Sequence, residues 1–261
     1  MKIKKSLEID VDKIANDLSR SAVSIVDVHK SYGDHEVLKG ENIEVRRGEI
    51  FGLLGKNGVG KSTTIDCLIG AKDFDQGEIK IFGLPIDEYP LEVKSLYGYV
   101  PSEPLLYEQM TGYEYLQFVA SAYGLSQEAF EKNLAFLDGA FQLGEEALSR
   151  PIGGYSHGMK QKEGLIASLI HNPKLWILDE PTVGLDVMAY ETLLDMMKRY
   201  RDNGNTIVLT SHNIDLIADV TDRVAILNEG KVATLIDFHK EPQKRKDLKL
   251  VFFKVYGAKL P

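Results

Sequence analysis

The chain has 261 residues, 39 of them acidic and 31 basic, for a formal net charge of -8. That length accommodates one large α/β domain or two small ones, and the acidic balance argues against a protein whose main work is gripping nucleic acid through a basic footprint. The single cysteine, Cys67, excludes a disulfide framework and a C-x-x-C zinc arrangement, which fits a reducing compartment. No apolar run approaches the roughly 18 to 20 residues that span a bilayer, and the opening MKIKKSLEID turns acidic where a signal peptide turns hydrophobic. A soluble, cytoplasmic chain is expected, with any membrane role exercised through a partner.

Residues 1–21 precede the first convincing strand and carry apolar positions at Ile9, Ile14 and Leu18, which predict a short amphipathic helix or a frayed arm. From residue 23 to about 84 the pattern is short strands and turns. One stretch inside it carries chemistry. Gly55, Lys56, Asn57, Gly58, Val59, Gly60, Lys61 and Ser62 fit the phosphate-binding pattern G-x-x-x-x-G-K-[S/T] at every fixed position. The run 49–54 before it reads as a short buried strand, and the run 63–68 after it as the opening of a helix, the context the pattern needs. Glycines let backbone N–H groups turn inward around phosphate oxygens, and the helix start adds the positive end of its dipole. Lys61 is then expected on the β and γ phosphates and the Ser62 hydroxyl on Mg²⁺.

After the strand-like Tyr97–Val100 the texture becomes helical. Thr111 and Glu114 form a capping box, followed at helical spacing by Leu116, Val119, Ala120 and Tyr123. Strands return at 174–178, 206–210 and 223–227, and between the first two a helix carries Tyr190, Leu193, Leu194 and Met197 on one face. A helical block inserted into an α/β core, with strands alternating with helices, predicts a largely parallel sheet. The apolar run 175–178 ends in Asp179 and Glu180. A buried strand emerging there delivers Asp179 to the Mg²⁺ shell and Glu180 to the γ phosphate, where it orients or deprotonates the attacking water. Taken alone, the same run also describes a solvated strand end. Thr210-Ser211-His212 closes the next strand, with His212 either in reach of the γ phosphate or structural.

In this order the pieces resemble the ATP-binding subunits of ABC transporters, from about residue 23 onward. Tyr155-Ser156-His157-Gly158-Met159, followed by Lys160-Gln161-Lys162 and a helix to about Ile170, stands where that family has its signature loop. Pro181-Thr182 and Gly184-Leu185-Asp186 match the approach to its D-loop, His212 its switch histidine, and Tyr32 the aromatic residue that stacks on adenine. The resemblance implies a P-loop ATPase fold: an α/β core with a largely parallel sheet, an antiparallel β subdomain, and an inserted helical subdomain at about 103–172. The ATPase domain would span 22–236, between an N-terminal extension (1–21) and a C-terminal tail (237–261). ATP and Mg²⁺ are the implied ligands, with Gly55 to Thr63 around the phosphates, Ser62 and Asp179 on the metal, and Glu180 with His212 as the catalytic pair. Ser156, His157 and Gly158 would face the γ phosphate held by a second ATPase subunit, sandwiching two ATP molecules at a two-fold interface. The helical block would receive a separate transmembrane permease, holding the chain at the inner face of the cell membrane. An exporter of the ABC-2, multidrug or antibiotic-peptide type is the leading expectation. The alternative is a soluble relative acting on nucleic acid, the ribosome or iron-sulfur assembly, whose usual second cassette, coiled-coil insertion or zinc cysteines this sequence lacks.

Two positions depart from the family pattern. Ser102, in Pro101-Ser102-Glu103-Pro104, stands where the family has a glutamine, and its shorter side chain is expected to reach the metal only through water. His157 replaces a glycine. An imidazole near the γ phosphate makes pairing sensitive to pH, whereas one turned away does not. Further on, 240–249 holds five basic and two acidic residues before the apolar Leu250-Val251-Phe252-Phe253, and reads as a solvated linker followed by a small docking strand or helix.

Overall fold

The computed structural model describes Ile14, Asp17 and residues 21–257. Within the N-terminal segment, Ile14 packs against the core and its carbonyl accepts a hydrogen bond from Arg47 Nη2 at 3.1 Å. The remainder of the helix or arm expected at 1–21 lies outside the described residues.

Among the described residues the strands form two sheets. The central one runs β10 (Lys231–Asp237), β9 (Arg223–Asn228), β3 (Ile50–Leu54), β8 (Thr206–Ser211), β7 (Leu175–Asp179), β6 (Tyr97–Val100). Its pairings are parallel except for β10 against β9. The second sheet is antiparallel, in the order β2 (His35–Val45), β1 (Val23–Tyr32), β4 (Gln76–Ile81), β5 (Leu84–Pro85). The alternation of side chains along each central strand decides which core each residue joins. Ile50, Leu54, Trp176, Leu178, Ile207, Leu209, Val224 and Ile226 enter the core shared with the helical side, whereas Phe51, Leu53, Leu175, Ile177, Val208 and Ala225 enter the core beneath the antiparallel sheet. Because both faces are covered, these strands read as continuous apolar runs.

The helical block comprises α3 (Gly112–Ala122), α4 (Gln127–Phe141), α5 (Glu145–Leu148) and α6 (His157–Leu169), while α1 (Lys61–Leu68) and α2 (Pro90–Leu96) precede it. The expected capping box starts α3. Thr111 Oγ1 accepts the Glu114 N–H at 3.2 Å and Glu114 Oε2 accepts the Thr111 N–H at 2.9 Å. Of its periodic face, Leu116 and Ala120 are buried, while Val119 and Tyr123 border a groove. After β7 come α7 (Val187–Asp202), burying Leu193, Leu194 and Met197 as the spacing predicts, and α8 (Ile214–Val220).

The basic stretch expected to be a solvated linker is instead partly folded as α9 (Gln243–Lys246), because Arg245 donates to the carbonyls of Ala218 and Thr221 (2.7 Å for the latter), where α8 ends. The docking element after it is a helix, α10 (Leu248–Val255), which buries Leu248 and Phe252 in the helical-side core.

A buried carboxyl on the helical side departs from this apolar logic. Glu163 on α6 is fully buried with neither carboxyl oxygen hydrogen-bonded, and burial pushes its pKa up to about 8. A folded-state pKa above the ordinary carboxyl value means stability that is present in acid and is lost as pH rises toward 8. Glu163→Gln removes the titration without changing the volume. The variant is expected to match the wild type near pH 5 and to exceed it by on the order of 5 kcal/mol near pH 9, as read from urea midpoints. Parallel pH profiles would show the carboxyl to be solvated.

Candidate active site

Parallel pairing brings the chemistry to one edge. Leu54 of β3 lies opposite Ser211 of β8, and Thr210 opposite Asp179 of β7, so the segments leaving these strands at Gly55, Glu180 and His212 emerge side by side at the carboxyl ends. Gly55 to Ser62 bridges β3 and α1. Gly60 caps α1 at φ +112°, a backbone state that an L side chain rarely adopts, and leaves the first helical N–H groups facing the loop. The Lys61 ammonium is buried and curls back on this loop, donating to Gly55 O at 2.8 Å and Lys56 O at 3.3 Å. Burial lowers its pKa, against which Glu180 and Asp179 act to raise it.

Glu180 is the hub of the edge. Lys61 Nζ lies 3.7 Å and His212 Nδ1 2.9 Å from its Oε1, and Ser211 Oγ donates to its Oε2 at 3.1 Å. Its backbone is left-handed at φ +49°, the chain turning sharply as it leaves β7, and its N–H is held by Thr210 through both the carbonyl and Oγ1, each at 3.2 Å. The Thr210 hydroxyl in turn donates to Asp179 Oδ1. Asp179 is buried, which raises its pKa, while hydrogen bonds from Thr210 and Ser62 act in the opposite direction. Ser62 and Asp179 thus adjoin as an oxygen pair whose buried charge a cation would relieve. No cluster of three or more His, Cys, Asp or Glu able to hold a metal occurs among the described residues. A cation held by Ser62 and Asp179 would therefore complete its shell with phosphate oxygens and water, the habit of Mg²⁺.

Thr210 and Ser211 are site residues that the motif reading passed over. Their signal was two hydroxyls at the end of an otherwise apolar strand. Tyr32 ends β1, 44% exposed, with the ammoniums of Lys30 and Lys72 each 5.4 Å from its ring centre. Ser102 is half-buried on the bend leaving β6, next to β7 in the sheet.

The remaining candidates lie on a second element. Ser156 caps α6, its Oγ accepting the Met159 N–H at 3.2 Å, at a helix start whose dipole favours anions. No hydrogen bond among the described residues ties Ser156, His157 or Gly158 to the phosphate loop. The His157 imidazole lies instead on Gly184, at φ +80°, where an added Cβ would meet its Cδ2 at 1.9 Å. One helical turn further on, Gln161 Nε2 donates to Pro181 O at 3.0 Å, so α6 grips the turn after Glu180 at two points on one face. Asp186 closes that turn as the N-cap of α7, its Oδ1 accepting the Ala189 N–H at 2.8 Å. Beside the bend at Ser102, a groove of about 280 Å³ is lined by Pro101, Pro104, Leu105, Leu106, Val119 and Tyr123, with Leu105 84% exposed.

A glycine-rich loop between a buried parallel strand and its helix, flanked by carboxylates on the neighbouring strand end, defines a P-loop nucleotide-binding protein of the α/β class. Comparison with known proteins narrows the class. The family described as ABC transporter matches residues 38–183, more than half of the chain. The chain is 36% identical over 208 residues, covering 80% of it and 67% of the relative, to the linearmycin resistance ATP-binding protein LnrL of Bacillus subtilis (strain 168). It is 30% identical over 229 residues, covering 87% of it and 95% of the relative, to the SkfA peptide export ATP-binding protein SkfE of the same organism. A solved ATP-binding subunit of an ABC transporter superposes with a TM-score of 0.84 at 32% identity, covering 90% of this chain and all of that one. The chain belongs to the ABC transporter ATP-binding family. No helix among its described residues is long and apolar enough to cross a membrane.

Proposed function

We propose that the chain hydrolyses ATP to power export of a substrate through a separate permease, working at the membrane's inner face as one of two paired ATPase subunits. The observation that carries this is the meeting of Lys61, Asp179, Glu180 and His212 at the carboxyl edge of one parallel sheet. Tyr32 stacks on the adenine, and the N–H groups from Gly55 to Thr63 surround the phosphates. Lys61 exchanges its contacts with loop carbonyls for β and γ phosphate oxygens. Ser62 and Asp179 would hold Mg²⁺, which would neutralise charge on the phosphates. Glu180, oriented by Ser211 and His212, positions the attacking water and takes its proton. Ser156, His157 and Gly158 present the α6 N-terminus to the γ phosphate of the paired subunit, and Asp186 fixes the turn beside them. Ser102 sits at the hinge toward the permease, whose coupling segment enters the groove at Leu105. Export rather than uptake is supported by a relative named for peptide export, beside a second named for linearmycin resistance. These relatives do not favour the soluble alternative.

Lys61→Ala tests the reading at its base. Loss of a buried charge-assisted contact is expected to weaken MgATP binding roughly tenfold to a hundredfold, measured by titration calorimetry on the folded variant. Unchanged affinity would place the phosphates elsewhere.

A further inference from the structure

We propose that Tyr256, contributed by the C-terminal tail, is a positioning residue for the phosphate loop, holding it in its nucleotide-ready shape from outside. The residue follows α10 and lies 200 positions from the loop it touches. Its hydroxyl accepts the N–H of Lys56 at 3.1 Å and donates to Leu227 O at 2.5 Å, bridging the loop's first turn to the end of β9. The Lys56 ammonium stands 4.5 Å from its ring centre. The fit is close: a Cβ on Gly55 would meet the Tyr256 hydroxyl at 3.3 Å. Phe252, buried in the helical-side core with its ring centre 4.8 Å away, backs the tyrosine ring.

The consequence lies in how Lys61 is used. Its ammonium ties Gly55 O and Lys56 O from inside the loop. On the reading of this loop as the ATP site, on which the inference rests, phosphate oxygens compete for that same ammonium, and the inner tie weakens as ATP enters. Tyr256 then remains as the side-chain tie on this turn, so the loop does not have to be reordered by the ligand. Without the hydroxyl, the Lys56 N–H and Leu227 O lose a partner together. The tail thereby acts on nucleotide affinity and not on the chemical step.

Tyr256→Phe keeps the ring and its packing and removes only the bridge. In the full-length chain it is expected to raise the dissociation constant for MgATP, and KM, about fivefold with kcat nearly unchanged. Amide hydrogen exchange at Lys56 should accelerate in the nucleotide-free protein. Tyr256→Ala, which also removes the face beneath Lys56, should weaken binding further. If the wild type binds MgATP and both variants bind it equally well with Lys56 exchange unaltered, the inference is overturned, and a lowered melting temperature alone would leave Tyr256 as tail packing. A wild type that fails to bind MgATP would instead refute the site assignment beneath it.

Discussion

Glu180→Gln is expected to cut ATP turnover by roughly 10²- to 10⁴-fold while ATP binding is retained. The expectation comes from what the amide keeps. Glutamine has the same length, so its oxygen can stay toward Lys61 and His212, which lie at 3.7 and 2.9 Å from Oε1, and its NH₂ can donate to Ser211 Oγ, which lies 3.1 Å from Oε2. The left-handed turn at residue 180 is fixed by Thr210 through the backbone N–H, which the substitution does not alter. Basicity is what disappears, together with a negative charge that competes with phosphate for Lys61. Affinity for ATP should therefore hold or rise as phosphate release collapses. The two measurements separate the outcomes: turnover within twofold of wild type sinks the assignment of Glu180 as the base, and a parallel loss of ATP binding would make it a structural partner of Lys61.

How far the sequence discloses this site depends on how the chemistry is encoded. The phosphate loop is legible because cradling phosphate needs several fixed residue types in eight consecutive positions, and the strand before Asp179 because burial on two faces needs an unbroken apolar run. The parallel sheet with its inserted helices follows from the same patterns, whereas the antiparallel sheet is implied only by the family resemblance. Other features depend on partners far apart in sequence and leave no local mark. Tyr256 reads as one more tyrosine in a tail until α10 docks it on Lys56. Glu163 occupies the buried face of α6, one turn before Ile166 and Ala167, and only the fold reveals that its oxygens meet no partner. The helix α2 (Pro90–Leu96) is short and begins with proline, so its existence rests on Val93 and Leu96 being buried and not on helical propensity. His157 was ambiguous between facing phosphate and turning away. Its ring lies on Gly184, a contact made possible by the missing Cβ there.

Gly98 in β6 illustrates the same distance-dependence with a larger consequence for the fold. A methyl group at this position would lie 1.9 Å from the backbone oxygen of Ser168 near the end of α6, and 3.1 Å from Pro173 Cγ. A side chain could swing aside, but the obstacle is helix backbone. That helix is also pinned: Trp176 Nε1 donates to Ser168 Oγ at 2.9 Å from within the core, and Asn133 Nδ2 donates to Ile170 O at 2.8 Å. Gly98→Ala must therefore lift α6 from the sheet or shift β6, at a cost of about 3 kcal/mol, equivalent to a fall of roughly 6–12 °C in melting temperature for a domain of this size. Because Ser156 caps the other end of α6, the displacement should also weaken ATP-driven pairing of two subunits more than ATP binding to one. Gly164, on the same helix, has no atom within 4 Å of its virtual Cβ. Gly164→Ala should consequently be neutral or slightly stabilising, since alanine is the better helix former. Thermal unfolding of the two variants side by side decides the matter, and equal melting temperatures would mean that β6 and α6 are not in close contact.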